Sequence, residues 1–151
     1  MNCAAIMTAD PLTVRASDCI AHAADILIAQ RLLAVPVVED DNRYVGMFGV
    51  NDLAGMIVPR VAIAGSLAPN LRFIGEDAEH LAARFNEFKD QPVRQLADPN
   101  AIVLNPDTPP IEAFRIFCRS QAPLPVVDPA SRRLLGLVSW WDLMKTLTAD
   151  D

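Results

Sequence analysis

Basic residues are in short supply: 13 lysines and arginines face 19 aspartates and glutamates, a formal net charge of −6, and no Lys/Arg-rich run occurs. That weighs against a duplex nucleic acid as partner, because its phosphates call for clustered cations; only a local basic pocket stays open. Cysteine is scarce too. Cys3, Cys19 and Cys118 are odd in number without metal-like spacing, so they read as buried free thiols in a reducing cytoplasm. His22 and His80 lack metal-ligand neighbours, and no metal site is expected. No apolar run reaches membrane-spanning length, and the N-terminus lacks the basic region and cleavage site of a signal peptide. The expectation is a cytoplasmic protein with no membrane and no nucleic-acid partner.

What is present suits a globular core: 151 residues, 52% hydrophobic and only 21% charged, which excludes wholesale disorder. Twelve prolines punctuate short elements and do not suit a helical bundle. The chain also repeats itself. Val35-Pro36-Val37-Val38-Glu39 returns as Leu124-Pro125-Val126-Val127-Asp128, and Gly46 to Leu53 returns as Gly136 to Leu143. The prolines are 125 − 36 = 89 apart; the glycines (136 − 46) and aspartates (142 − 52) are 90 apart. Two shared blocks in order at near-constant offset indicate duplicated supersecondary units.

Each unit reads strand, helix, strand, strand, helix. In the first, Leu12 to Val14 is a short strand, and Ser17 or Asp18 caps a helix whose stripe is Ile20, Ala24 and Leu27, with Arg31 at its edge. Val35–Val38 and Tyr44–Val50 form a hairpin around Asp40 to Arg43, and a helix from about Asn51 stops before Pro59. In the second, Ala101 to Leu104 is the strand, Asp107 or Thr108 caps a helix with Pro109 and Pro110 in its first turn, and Ile111, Phe114, Phe117 and Cys118 form its apolar face. Leu124–Val127 and Leu134–Val138 repeat the hairpin, and Trp140 to Leu147 is the last helix. Between the units, 58–75 reads as irregular connection. Residues 76–89 read as an amphipathic helix with Leu81, Phe85 and Phe88 on one face, covering a core edge or serving as a lid or docking element.

The residues that carry chemistry lie where a strand hands over to a helix. Ser139 and Asp142 have capping-box spacing, and free N–H groups at such a terminus can hold an anion. A carboxylate there can accept two hydrogen bonds from vicinal hydroxyls, as in gripping a ribose. Half of the motif recurs at Asp52, where Gly49 replaces the hydroxyl residue.

Ile6-Met7-Thr8, Thr13-Val14, Val35 to Val38, Gly46 and Asp52-Leu53, followed by their copy, resemble a tandem pair of CBS domains, a Bateman module. The resemblance covers nearly the whole chain except roughly 58–92. It implies an α+β fold of two βαββα-type repeats about a pseudo-two-fold axis, divided as 1–58, a connection 59–92 with the extra helix, and 93–151. It also implies clefts for AMP, ADP, ATP or S-adenosylmethionine, sensing rather than catalysis, and no other cofactor. Carried over by residue, one site joins Ser139 near the α-phosphate and Asp142 on the ribose to Thr8, Thr13, Leu33 and Ala34 on the adenine side. The other joins Asp52 to Asp98, Val103, Ala122 and Pro123, and is weakened by Gly49, by the loss of threonines at Asp98 and Val103, and by the charge of Asp98. Phosphate-binding cations are sought among Arg15, Arg31, Arg60, Arg132 and Arg133. One of Trp140 and Trp141 is expected to pack into the core or a second subunit, the other to border the cleft.

The leading expectation is a regulatory adenosine-ligand sensor acting as a homodimer and signalling to an effector protein, since no catalytic, channel or DNA-binding domain is appended. The alternative is a structural dimerisation module with vestigial sites. An enzyme built on Cys118 is the weakest reading, because that thiol falls on the apolar stripe of its helix with no histidine nearby in sequence.

Overall fold

The computed structural model describes residues 1–57 and 78–149. Its helices are α1 (Cys3–Ile6), α2 (Ile20–Gln30), α3 (Val50–Ile57), α4 (Ala78–Phe88), α5 (Pro110–Phe117) and α6 (Trp140–Thr148), with one 3-10 turn at Val93–Gln95. The strands are β1 (Thr8–Ala9), β2 (Val14–Arg15), β3 (Ala34–Val38), β4 (Tyr44–Gly49), β5 (Leu124–Val127) and β6 (Leu134–Val138). Two three-stranded sheets result, a mixed one ordered β2-β3-β4 and an antiparallel one ordered β1-β6-β5. None of the described helices is long and apolar enough to cross a membrane.

The apolar runs explain the central strands. All five residues of β3 and all four of β5 are buried, as continuous Val-rich runs between covered faces should be. Each forms an antiparallel hairpin, β3 with β4 and β5 with β6. Asp40 to Arg43 makes the first turn, and Asn42 takes the left-handed conformation at φ 68. Its counterpart 132 − 42 = 90 residues on, Arg132, does the same at φ 64.

The two units trade their opening segments. β1, from the first repeat, pairs with β6 of the second through Thr8↔Leu137, while Asp98, from the second, bridges to Met47 of the first. Cys3 is fully buried in the second repeat's core and Val93 in the first's. Their hydrogen bonds match at an offset of 90: Cys3 N–H to Thr108 O at 2.8 Å and Val93 N–H to Asp18 O at 2.7 Å. The hairpins also meet about the pseudo-axis, where Leu134 N–H donates to Asn42 O at 3.0 Å and Tyr44 N–H to Arg132 O at 2.9 Å. A third core of Ala34, Val38, Tyr44, Met47, Val127 and Leu134 seals this contact.

Several local expectations are corrected. The strand expected at Leu12 to Val14 is Val14–Arg15, and 101–104 forms no strand, retaining the single bridge Leu104↔Val126. Just before it, Asp98 Oδ1 accepts from Asn100 N–H at 2.9 Å in a turn. Neither Ser17 nor Asp18 caps α2. Cys19 occupies the position without a side-chain bond, Asp18 instead accepts from Arg15 N–H, and the first-turn N–H groups of Ile20 and Ala21 donate to Gln91 O and Lys89 O. Arg31 leaves the stripe, ending α2 in a left-handed conformation at φ 53. Pro109 rather than Asp107 or Thr108 caps α5, because Thr108 is engaged with Asn105.

On α5, Ala113 and Phe117 are buried, but Ile111 is 70% exposed and Cys118 lies at the surface. Of the three thiols only Cys3 is buried, and burial pushes its pKa up. The connection at 58–75, Arg60 and the start of the 76–89 helix lie outside the described residues. α4 lays Phe88 and the half-buried Phe85 on the first repeat's core, with Leu81 at its partly exposed end.

Candidate functional site

Ser139 caps α6 and forms a complete capping box with Asp142. The Asp142 carboxylate accepts from Ser139 N–H at 2.8 Å and from Ser139 Oγ at 2.9 Å, both at Oδ2. Its Oδ1 receives the Thr8 hydroxyl at 3.3 Å, across 134 residues of sequence. Oδ2 is thus held in place by local bonds, while Oδ1, with one long contact, keeps acceptor capacity for a ligand hydroxyl.

Thr8, Ala34, Ser139 and Asp142 line one inter-repeat hollow of about 180 Å³. Thr13 and Leu33 are not in its lining; Leu12 and Leu32 are. Beyond Ser139 the hollow adjoins a trough of about 560 Å³, with which it shares Leu32, Pro123 and Ser139, and whose walls include Arg31, Leu33, Trp140 and Trp141. Trp140 is 44% exposed and packs edge-on to Phe114 and tilted on Phe117, whereas Trp141 is 73% exposed.

The pseudo-symmetric hollow, about 590 Å³, brings together Asp52, Asp98, Ala122 and Pro123. Val103 is outside its lining and Ile102 stands there instead, the counterpart of Leu12 at 102 − 12 = 90. The two hollows thus have equivalent linings, with Leu12 and Ile102 where Thr13 and Val103 were expected. Ala34 and Pro123 line both hollows.

Asp52 has half a capping box, accepting Gly49 N–H at 2.8 Å. Burial pushes its carboxyl up, the Gly49 bond opposes that, and the charge of Asp98 adds to the rise. Gly49 is more than a missing hydroxyl. A Cβ there would lie 2.8 Å from Leu33 O and 3.2 Å from Ala34 Cβ. The cause is the longer first hairpin, which pairs Ala34 with Gly49 and adds a Val50 N–H bond to Leu33 O. In the second hairpin Ala34's counterpart is Pro123, which has no N–H to donate; pairing stops at Leu124↔Val138 and Ser139 is free to cap.

Among the cations considered, Arg31 lines the same trough as Ser139, Arg15 pairs with Asp40 at 3.5 Å, and Arg132 and Arg133 sit in the hairpin turn. Sequence reasoning missed Arg119, Ser120 and Gln121 of the second hollow, although Ser120 and Gln121 fall at the Arg31 and Leu32 positions of the other repeat, offset by 89, with Arg119 just before them. Among the described residues no group of three or more potential metal-ligating side chains occurs.

A CBS-domain family model matches residues 3–58 and 93–149. No curated protein matches the chain. Among solved structures, the CBS-pair protein CBSX2 from Arabidopsis thaliana is 20% identical with a TM-score of 0.74, covering 97% of this chain and 94% of that one. The same relative in complex with AMP superposes at a TM-score of 0.68, with 20% identity over 97% and 96% of the two chains. A CBS domain pair bound to 5′-methylthioadenosine and S-adenosyl-L-methionine is 20% identical at a TM-score of 0.63, over 97% and 99%. A putative acetoin utilization protein from Vibrio cholerae is 14% identical at a TM-score of 0.69, over 100% and 98%.

Proposed function

The chain belongs to the CBS-domain family, and from that premise we propose that it is a cytoplasmic, non-catalytic regulatory module that binds an adenosine-containing ligand between its repeats. It passes occupancy to an effector protein or through its own homodimer. One observation carries the reading: a capping-box carboxylate of the second repeat meets Thr8 and Ala34 of the first in one hollow. The neighbours solved with AMP, and with 5′-methylthioadenosine and S-adenosyl-L-methionine, supply the ligand class.

In this reading Asp142 accepts the ribose hydroxyls, the adenine lies against Ala34 and Leu12, and Ser139 faces the tail. Contacts to both repeats couple binding to their relative placement: a ligand that binds only the joined arrangement stabilises it by mass action. Calorimetry with AMP, ATP and S-adenosylmethionine tests it. Wild type should bind at least one saturably, and Asp142→Ala should weaken that binding roughly tenfold or more, the worth of a hydrogen bond to a charged acceptor. A second reading, a dimerisation module with vestigial sites, is favoured by the sealed position of Gly49 and by the paired carboxylates Asp52 and Asp98. Heat-silent titrations of wild type with all three ligands would decide for it.

A further inference from the structure

We infer that the second hollow takes a ligand with a cationic head, an ammonium or guanidinium, held between Asp52 and Asp98; this goes beyond the adenosine site at Asp142 and does not depend on it. At about 590 Å³ the hollow has the size of a small-molecule site and can enclose a whole ligand. Both carboxylates line it, one from each repeat. Asp98 bridges to Met47 as Thr8 pairs with Leu137, each 90 residues from its counterpart (98 − 8, 137 − 47). An acid therefore stands where the first hollow has a neutral hydroxyl.

Nothing among the described residues offsets this charge. Asp142 is met by the hydroxyls of Ser139 and Thr8, whereas Asp52 has only backbone N–H partners. Arg119 lines the same hollow but forms an ion pair with neither carboxylate. Burial first, and the charge of Asp98 after it, push the Asp52 carboxyl up, with no contribution from Arg119. Two like charges sharing one hollow favour a cation between them and repel an anion.

A separate observation points the same way. Tyr44 is only 7% exposed, and its hydroxyl has no hydrogen-bond partner among the described residues. It packs in one core with Ala34 and Met47, on which Ala101 and Ala122 rest, and these four residues form part of the hollow's wall. The phenol thus stands behind that wall, where burial and then the charge of Asp98 push its pKa up, opposed by Arg132. Its counterpart 134 − 44 = 90 residues on is Leu134, so this polar atom too is particular to the second hollow. A buried oxygen without a partner is costly, and a cation lodged beside Asp98 brings N–H donors toward it.

A bare metal ion fits less well. A divalent cation wants about six or more oxygens, and no group of three or more potential metal-ligating side chains occurs among the described residues. Leu33, Met47, Ile102 and Ile116 instead give apolar walls suited to the carbon body of an amine.

The test follows backbone amide shifts of the full chain by NMR during titration with phenethylamine, agmatine and magnesium chloride, and with phenethyl alcohol as an uncharged match. At least one amine should shift Gly49, Asn51 and Ile102 saturably at roughly millimolar concentration, and at least about tenfold more tightly than the alcohol. Asp98→Asn, which keeps an acceptor for Asn100 N–H, should weaken that binding roughly tenfold or more, and Asp52→Asn should weaken it likewise. Amines that bind no better than the alcohol, shifts gathered at Ser139 instead, or an affinity unchanged in both variants overturn the inference. Saturation of the same amides by magnesium overturns the organic class. Because the titrants carry no adenosine, the outcome is separate from that of the Asp142 site.

Discussion

Asp52 and Asp142 are the same residue at matching places, yet their surroundings ask different things of them. Asp142 is met by hydroxyls from both repeats, whereas Asp52 is half-desolvated with Asp98 nearby. A carboxyl whose folded-state pKa is raised binds its proton more readily in the native protein than in the unfolded one. Its charge then costs stability at neutral pH, and the cost fades as pH falls through the raised value to the ordinary aspartate range near 4. Asp52→Asn should therefore be at least as stable as wild type at pH 7, since the amide oxygen can still accept Gly49 N–H, with the advantage gone below about pH 4. Urea midpoints at both pH values check this; a clearly weaker variant at pH 7 is the contrary result. At this scale the sequence was legible where geometry is local. Ser139 and Asp142 meet because three residues separate them, whereas Thr13 and Val103 lie one residue beyond the linings of their hollows, a position settled by where each strand meets its neighbours. Cys118 was read as core from a stripe that α5, ending at Phe117, does not extend to; a thiol reagent should label it faster than Cys3.

Elements whose signals lie in their own residues were readable: both hairpins followed from Pro-Val-Val runs with polar turns between. The caps of α2 and α5 were not, because their first-turn needs are met by distant groups such as Gln91 O, or by proline geometry. The repeated glycines belong to this scale as well. Gly136 lets β1 lie against β6, for a Cβ there would be 2.7 Å from Thr8 O and 2.6 Å from Met7 Sδ; Gly46 allows the same approach of Asp98. Met7 is flexible but a carbonyl is not, so Gly136→Ala should destabilise by about 2 kcal/mol through overpacking. Gly55→Ala, in α3 with nothing within 4 Å, should instead stabilise by up to about 1 kcal/mol through helix propensity. Chemical denaturation of the pair decides, and equal shifts would contradict the close-approach account.

At the scale of the whole molecule, the duplication was plain from sequence but the exchange of opening segments was not. Cysteine count and spacing read Cys3 as a buried free thiol; only the fold shows that it is buried in the other repeat. Deleting residues 2–9 removes Cys3 from the second core, its bond to Thr108 O, and the β1–β6 pairing. The loss should be on the order of 3 kcal/mol from core and hydrogen-bond terms together. Trp140 and Trp141, the chain's two tryptophans, both report on that repeat, so their emission should shift at a lower denaturant concentration in the shortened protein. An unmoved transition would mean that β1 is ornamental.

The reciprocal lending of Cys3 and Val93 has a practical corollary. Severing the backbone between residues 57 and 78 leaves two polypeptides, each bearing the plug for its sibling's interior. Such fragments should be poor folders in isolation and recover order on mixing, which makes this scaffold a natural split pair.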